Sequence, residues 1–141
     1  MKSFALAALA VLALTGTAFA QDYVPPNVVT NFGVGTGNST ATAYWTSPGD
    51  QCTNATCAEY DLRYSTSTLT DCNFTSGTRV TTTNPKSPGQ QECFDISSLS
   101  CNTTYYWAVK TKDSSGNWSA LSTVLNRATV VCSNSIEVIC E

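Results

Sequence analysis

Short segments in which apolar and polar residues alternate are separated by turn-forming residues along most of the chain. In the clearest of them, residues 59–65, Tyr60, Leu62 and Tyr64 share one face and charged residues occupy the other. A two-residue period is typical of a half-buried β-strand. The pattern predicts strands at residues 28–34, 41–45, 59–65, 78–82, 93–99, 105–111 and 122–131. Seven short strands without a helical periodicity are typical of an all-β, Ig-like sandwich of roughly a hundred residues.

The inward-facing positions of these strands carry the large apolar side chains that would form the core. Aromatic residues matter most among them, because each buries on the order of 150–250 Å². The predicted core is formed by Trp45, Tyr60, Leu62, Tyr64, Leu99, Tyr105, Trp107 and Val109.

The first twenty residues have the pattern of a secretory signal peptide. Lys2 gives a positive start, residues 4–14 are apolar, and Ala18-Phe19-Ala20 fits a small-x-small cleavage site. The apolar run is shorter than the ~20 residues that span a bilayer, and a buried N-terminal helix is the alternative. We expect residues 1–20 to be a signal peptide, residues 21–131 to form one domain, and residues 132–141 to form a cysteine-containing tail of a secreted protein.

The charge of the chain argues against a nucleic-acid partner. It has seven Lys and Arg residues against ten Asp and Glu residues, and its formal net charge of -3 becomes -4 when Lys2 is removed. Binding to a phosphate backbone needs clustered positive charge. No stretch after the signal peptide is apolar enough to predict a membrane span.

Seven cysteines follow the predicted cleavage site, and in a secreted chain they indicate disulfides. A zinc site is the weaker alternative, because Cys52 and Cys57 lack a second close pair and the chain has no His. Since seven is odd, at least one thiol is free or bonded to another chain, which would make a homo-oligomer possible. The cysteines are Cys52, Cys57, Cys72, Cys93, Cys101, Cys132 and Cys140.

Five N-glycosylation sequons lie in predicted loops or turns, where an acceptor is exposed. Behind a signal peptide, five sequons favour a eukaryotic secreted glycoprotein, although in a bacterial exported protein they would be idle. The predicted acceptors are Asn38, Asn54, Asn73, Asn102 and Asn117.

The side chains of the common catalytic arrangements are missing. Without His, neither a Ser-His-Asp nor a Cys-His arrangement can form. The ten carboxylates are scattered over predicted loops and outer faces, with no evident pair for glycoside hydrolysis. We therefore predict no enzyme activity, no cofactor and no metal, although an accessory domain derived from a larger enzyme is an alternative.

Four short motifs, in order along the chain, resemble those of a fibronectin type III domain. They are a Trp on the second strand, alternating Tyr, Leu and Tyr on the third, Leu, Thr and Tyr before the sixth, and a turn followed by spaced serines. The resemblance runs from about Pro25 to Thr129. It implies that Trp45 and Trp107 lie on opposite sheets and that Tyr105 is a tyrosine corner. The matching residues are Trp45, Tyr60, Leu62, Tyr64, Leu99, Thr103, Tyr105, Asp113, Gly116, Asn117, Ser119 and Ser122, with Cys101 replacing the usual proline.

The topology implied by this resemblance suggests a cysteine pairing. Cys52 and Cys57 share the loop after the second strand, and Cys101 and Cys132 end strands at the same pole. Cys72 and Cys93 lie near the edges of facing sheets and are paired by elimination, which leaves Cys140 as the odd thiol. The same topology places Asn54 and Asn117 at the N-terminal pole and Asn38, Asn73 and Asn102 around the other.

Residues 118–122, WSALS, resemble the Trp-Ser-x-Trp-Ser box of cytokine receptors, with Leu121 in place of the second Trp. The simpler interpretation is a turn that packs Trp118 and Leu121 against the sheet. Because one aromatic is missing, half of the aromatic stack of that box is lost.

Two functions of different classes fit these features. The first is a non-catalytic module that binds an extracellular protein or glycan through its loops. The loop of residues 83–91 carries no sequon, and two prolines reduce the entropy lost on ordering it. A protein partner is therefore expected at Lys86, Ser87 and Gln90, unless this loop is an ordinary solvated connection. The alternative is a structural subunit of a matrix, wall or filament, assembled through tail contacts or an intermolecular disulfide.

Overall fold

A computed structural model describes residues 22–50 and 55–132. Within these ranges two antiparallel sheets have the orders β1-β2-β5 and β4-β3-β6-β7. The predicted all-β sandwich is confirmed. The predicted signal peptide, Cys52, Asn54 and Cys140 lie outside the described residues. The strands are β1 (Gly33–Thr36), β2 (Ala41–Thr46), β3 (Glu59–Ser65), β4 (Thr78–Val80), β5 (Gln91–Ile96), β6 (Thr104–Lys112) and β7 (Leu125–Ala128), and a 3₁₀ helix spans Phe74–Ser76.

Two tryptophans from opposite sheets fill the space between them. Trp45 on β2 and Trp107 on β6 are both completely buried. The Trp45 ring stacks on Phe94 at 5.2 Å between centroids and meets the edge of Tyr60 at 4.9 Å. The other predicted core residues are also buried except Tyr64, which is half-buried against the Trp107 ring because β3 ends one residue later.

Tyr105 forms the expected corner at the start of β6. Its ring is buried, and its hydroxyl accepts a hydrogen bond of 3.0 Å from the backbone N–H of Ser100. The bond joins the turn after β5 to the core, which explains why a Tyr rather than a Phe occupies this position.

The first strand begins later than the pattern predicted. Residues 28–32 insert Val29 and Phe32 into the core without joining the sheet, whereas β1 pairs Gly33–Thr36 with β2. The turn that follows β1 consequently lies at residues 37–40, where the Gly37 N–H bonds the Thr40 carbonyl at 2.9 Å. Apolar spacing marks burial here but does not distinguish an irregular segment from a paired strand.

The last strand is shorter than predicted because serine hydroxyls replace part of its ladder. Ser119 and Ser122 lie alongside β6, and their hydroxyls accept hydrogen bonds of 3.0 Å from the backbone N–H groups of Thr111 and Val109. Regular pairing starts only at Leu125. The spaced serines of the sequence therefore join this segment to the sheet.

The connection between β3 and β4 folds back across the outer face of the four-stranded sheet. Its Leu69 and Phe74 form a second apolar cluster with Ala108 of β6. Asp61, predicted on a solvated face, is consequently only 8% exposed. Asn73 lies on this connection, so it stands over the sheet rather than at the pole where the resemblance had placed it.

One of the predicted disulfides is present among the described residues. Cys101 and Cys132 are bonded, with their Cα atoms 5.4 Å apart. The pairing of Cys72 with Cys93 is wrong, because both thiols are free and exposed, and Cys93 faces outward on β5. The predicted staple between Cys52 and Cys57 involves a residue outside the described ranges; Cys57 itself is buried, and its thiol donates to the Pro48 carbonyl.

Residues 22–50 and 55–132 contain no helix that is both long and apolar enough to cross a membrane.

Candidate functional site

The β4–β5 connection, residues 81–90, is held to the sandwich by backbone and side-chain hydrogen bonds. Ser47, which is buried after β2, donates its hydroxyl to the Lys86 carbonyl at 2.8 Å. The Ser47 N–H bonds the Gln90 carbonyl, and the Gly89 N–H bonds the Ser47 carbonyl. The predicted partner loop therefore has an ordered backbone.

Glu92, the second residue of β5, anchors this loop and was not among the residues predicted for the site. Its side chain is 1% exposed, and its carboxylate accepts a hydrogen bond of 2.6 Å from the Lys86 backbone N–H. The Tyr60 hydroxyl lies 3.3 Å from the same oxygen, and burial raises the pKa of Tyr60 to about 12, which keeps that donor protonated. Extending the two-residue period of β5 back from Phe94 would have predicted an inward Glu92.

The residues predicted to meet a partner are exposed on this anchored loop. Lys86, Ser87 and Gln90 all face solvent. The Lys86 ammonium donates to the Gln91 carbonyl at 2.6 Å, so its charge is held beside the edge of β5. Because β4 and β5 are the edge strands of their sheets, the loop joins two sheet edges.

A polar depression of about 290 Å³ lies beside this loop, along β4. One side is formed by residues 80–84, and the other by an ion pair between Arg79 and Glu59. The hydrogen bond from Arg79 is the main cause of the lowered pKa of Glu59, with a second contribution from Lys112. The depression and the loop together form a mixed-charge surface at one sheet edge.

A second polar surface covers the outer face of the four-stranded sheet, where cationic side chains lie over aromatic rings. The Lys112 ammonium is 5.3 Å from the centre of the Trp118 ring. Lys110 and Arg63 both lie over Phe74, at 5.5 and 5.4 Å. The Trp118 ring is held in place yet 37% exposed.

Residues 118–122, which resemble the cytokine-receptor box, reproduce only part of its arrangement. Its serines bond β6, and Trp118 contacts a cation, but Leu121 packs into the apolar cluster around Phe74 and supplies no second ring. The arrangement agrees with the simpler interpretation of a turn packed against the sheet.

Three carboxylates that were predicted to be scattered come together at the N-terminal pole. One oxygen from each of Asp22, Asp50 and Asp113 lies within 4.8 Å of the others. Oxygen donors of this kind suit Ca²⁺, but the turn after β6 already uses Asp113: the backbone and side-chain N–H groups of Asn117 donate to it at 2.8 Å. We assign no metal to this cluster.

All four described sequons lie outside the strands, as predicted, but they differ in accessibility. Asn38 and Asn102 are exposed in turns, whereas Asn73 and Asn117 are half-buried. The Asn117 side-chain nitrogen donates to the Asp22 carbonyl and to Asp113, and the Asn73 nitrogen donates to the Thr68 carbonyl. A glycan on Asn117 would remove one of these bonds, because a glycosylated amide keeps a single N–H.

Neither a protein-family model nor a curated protein matches this chain. Solved structures do match, at low identity. The FN1-FN3 domains of chicken CNTN1 superimpose with a TM-score of 0.56 and 20% identity, covering 75% of this chain and 33% of that one. This chain thus spans a third of that longer chain.

Two single human domains also match. The 6th fibronectin type III domain of human fibronectin type III domain containing protein 3 gives a TM-score of 0.51 at 18% identity, covering 84% of this chain and 95% of that one. The fibronectin type III domain of human KIAA0970 protein gives 0.52 at 13% identity and covers 77% of each chain. At such identities the likeness concerns the fold, and together with the two-sheet topology it shows that this chain has the fibronectin type III fold.

Proposed function

We propose that this protein is a secreted, N-glycosylated and non-catalytic module that binds an extracellular protein through its β4–β5 loop. The observation that carries the proposal is the anchoring of this loop by Ser47 and the buried Glu92. Ordering before binding reduces the entropy that association must overcome. The exposed Lys86, Ser87 and Gln90 then form a fixed polar surface beside the depression along β4.

Replacing Lys86, Ser87 and Gln90 together by Ala tests this proposal. The backbone bonds that anchor Lys86 survive the change, whereas the bond of its ammonium to the Gln91 carbonyl and its ion pair with Glu92 are lost. Partners captured from the extracellular medium by the secreted protein are identified first, and their affinity is then compared between variants. The triple variant should bind at least about tenfold more weakly, and any fall in its melting temperature should be matched by Lys86→Ala alone, which removes the same ion pair.

A matched control replaces Ser114 and Ser115, two exposed residues of the turn after β6. This variant should bind like the parent. Full binding by the loop variant, or an equal loss in the control, would contradict the proposed surface. A mass decrease on endoglycosidase treatment checks the glycosylation separately.

The exposed thiols of Cys72 and Cys93 favour a second candidate function, that of a structural subunit joined by intermolecular disulfides. A non-reducing gel of the secreted protein distinguishes the two: a ladder that collapses on reduction indicates the subunit, and a single band indicates the module.

A further inference from the structure

The cleft beneath Trp118 on the outer face of the four-stranded sheet has features of a ligand site separate from the β4–β5 loop. It encloses about 230 Å³. Its floor and walls come from three parts of the fold: β3 and β6, the connection that folds back over the sheet, and the segment after the β6 turn. The lining residues are Asp61, Asp71, Phe74, Thr75, Lys110 and Trp118.

The polar groups of this cleft are fixed by ion pairs. Lys110 is 2.8 Å from an Asp71 oxygen, and Arg63 is 2.8 Å from an Asp61 oxygen. A carboxylate offers about four acceptor positions, so Asp71, which accepts from Lys110, retains capacity for further donors, whereas Asp61 is already engaged by Arg63 and Arg79. The Trp118 ring is positioned by Lys112. Aromatic surface, acceptors and a donor are therefore presented together in a preformed arrangement.

The chemistry of the lining distinguishes between ligand classes. The cations at the cleft, Lys110 and Arg63, are each already paired with a carboxylate, Asp71 and Asp61, which disfavours an anion. A quaternary ammonium ion is bound by several exposed rings, but Phe74 is only 4% exposed and is covered by Arg63 and Lys110. A large apolar ligand needs a pocket of about 300–1,000 Å³, and this cleft, at about 230 Å³, is smaller than that range.

A neutral sugar ring satisfies each of these constraints. One face of a pyranose carries C–H groups that pack on an aromatic ring, and its adjacent hydroxyls both donate and accept. A carboxylate beside an ammonium matches such a pair of hydroxyls, because one accepts and the other donates in charge-assisted hydrogen bonds. We propose that this cleft binds a neutral pyranose unit of an extracellular oligosaccharide. The inference rests on the proposed function only in taking the protein to be an extracellular binding module.

The test uses the full secreted protein after endoglycosidase treatment, because Asn73 precedes Phe74 and Asn117 precedes Trp118 and their own glycans would compete. The probes are methyl α-mannopyranoside, methyl β-glucopyranoside and N,N′-diacetylchitobiose, with N-acetylneuraminic acid as the anionic comparison. Since Trp45 and Trp107 are completely buried, acrylamide quenching of tryptophan fluorescence reports on Trp118. At least one neutral sugar should protect Trp118 from quenching and show saturation transfer in NMR, and the anionic sugar should do neither.

Variants distinguish a loss of sugar contacts in this cleft from a general loss of structure. Trp118→Ala should abolish saturation transfer, Asp71→Asn should weaken binding about threefold or more, and Trp118→Phe should retain part of it. Tyr44→Ala removes an aromatic that is 43% exposed on the other sheet and should leave sugar binding unchanged.

Failure of all three neutral sugars to bind, or equal binding by Trp118→Ala at the parental melting temperature, would overturn the proposal. The Lys86, Ser87 and Gln90 triple variant should bind sugar like the parent. Loss of partner binding in that variant alone therefore bears on the proposed function and not on this cleft.

Discussion

Individual buried side chains in this protein are held by very different interactions. Trp45 is surrounded by rings from three strands or segments, whereas Glu92 is a carboxylate at the margin of the same interior and depends on hydrogen bonds. A side chain's burial therefore has to be considered together with its partners before the effect of a substitution is predicted.

Trp45→Ala is expected to lower the free energy of unfolding by about 3–5 kcal/mol, because the lost ring leaves a cavity between the sheets. Chemical denaturation of the purified variant measures this loss, and poor secretion would be its cellular consequence. Tyr44→Ala, one residue earlier on the outward face, is the matched control and should change stability far less. A Trp45 variant as stable as the parent would contradict the described core.

The three free thiols of the described residues should differ in reactivity. Burial, reinforced by the negative charge of Asp50, raises the pKa of Cys57 to about 11, and thiolates are the reactive species. Iodoacetamide at pH 8 should therefore label Cys72 and Cys93 in the native protein, and Cys57 only after unfolding. Peptide mass mapping reads the result, and rapid native labelling of Cys57 would contradict its described position.

At the scale of elements, connections rather than strands distinguish this sandwich. The chain after β7 returns to the turn after β5, where Thr129 bonds the Thr103 backbone and Cys132 bonds Cys101. The turn after β6 is closed in a comparable way by Asp113 and Asn117. Each connection can be tested by removing one contact.

Replacing Cys101 and Cys132 together by Ala should lower the free energy of unfolding by about 3–4 kcal/mol, because the disulfide closes a loop over a sequence separation of 31 residues. Equilibrium denaturation measures the change. Adding a reducing agent to the parent should produce a similar loss, and a stability that reduction leaves unchanged would argue against this bond.

The turn after β6 should make stability depend on pH. Burial acts to raise the pKa of Asp113, but hydrogen bonds from Asn117 and from the backbone N–H groups of Ser115 and Gly116 outweigh it, so the pKa is lowered. Stability from this group is therefore present above its unfolded pKa of about 3.9 and lost as the pH falls through the lowered folded value. Asp113→Asn should melt below the parent at neutral pH, and the difference should shrink below about pH 4.

Thermal melts from neutral to acid pH measure this effect. Ser114→Ala, in the same turn, should keep the parental pH dependence. A constant difference between Asp113→Asn and the parent at every pH would show that the charge of Asp113 is not involved.

In the whole molecule, the two candidate surfaces occupy different parts of the sandwich. The β4–β5 loop joins the edge strands of the two sheets, whereas the Trp118 cleft lies over β3 and β6. An ion pair between Arg79 and Asp61 links the depression along β4 to the cleft. The residues that anchor the loop itself and those that line the cleft are separate sets, so independent effects are expected for the loop.

A saturating neutral sugar should therefore leave the affinity of the loop for a protein partner unchanged. Combining Trp118→Ala with the triple loop variant should change the free energy of unfolding by the sum of their separate effects, within about 0.5 kcal/mol. Binding assays with and without sugar, and denaturation of the combined variant, check this. A large deviation would show that the two surfaces are coupled.

The alternation of apolar and polar residues was enough to predict the sandwich, most strand positions and most of the core. These properties depend on which face of each strand is buried, and a two-residue period records that directly along the chain. The same alternation, extended by one position, would have placed Glu92 inward. The tyrosine corner was implied by the motif around Tyr105.

Only the tertiary structure decided where the connections go and which distant side chains meet. Residues 66–77 cross the outer face of the sheet, the hydroxyls of Ser119 and Ser122 replace ladder bonds, and Cys93 faces solvent instead of pairing with Cys72. Local pattern determines the side to which a residue points. The distance and direction between residues far apart in sequence are set by packing of the whole chain, so the anchored loop and the Trp118 cleft appear only in the folded molecule.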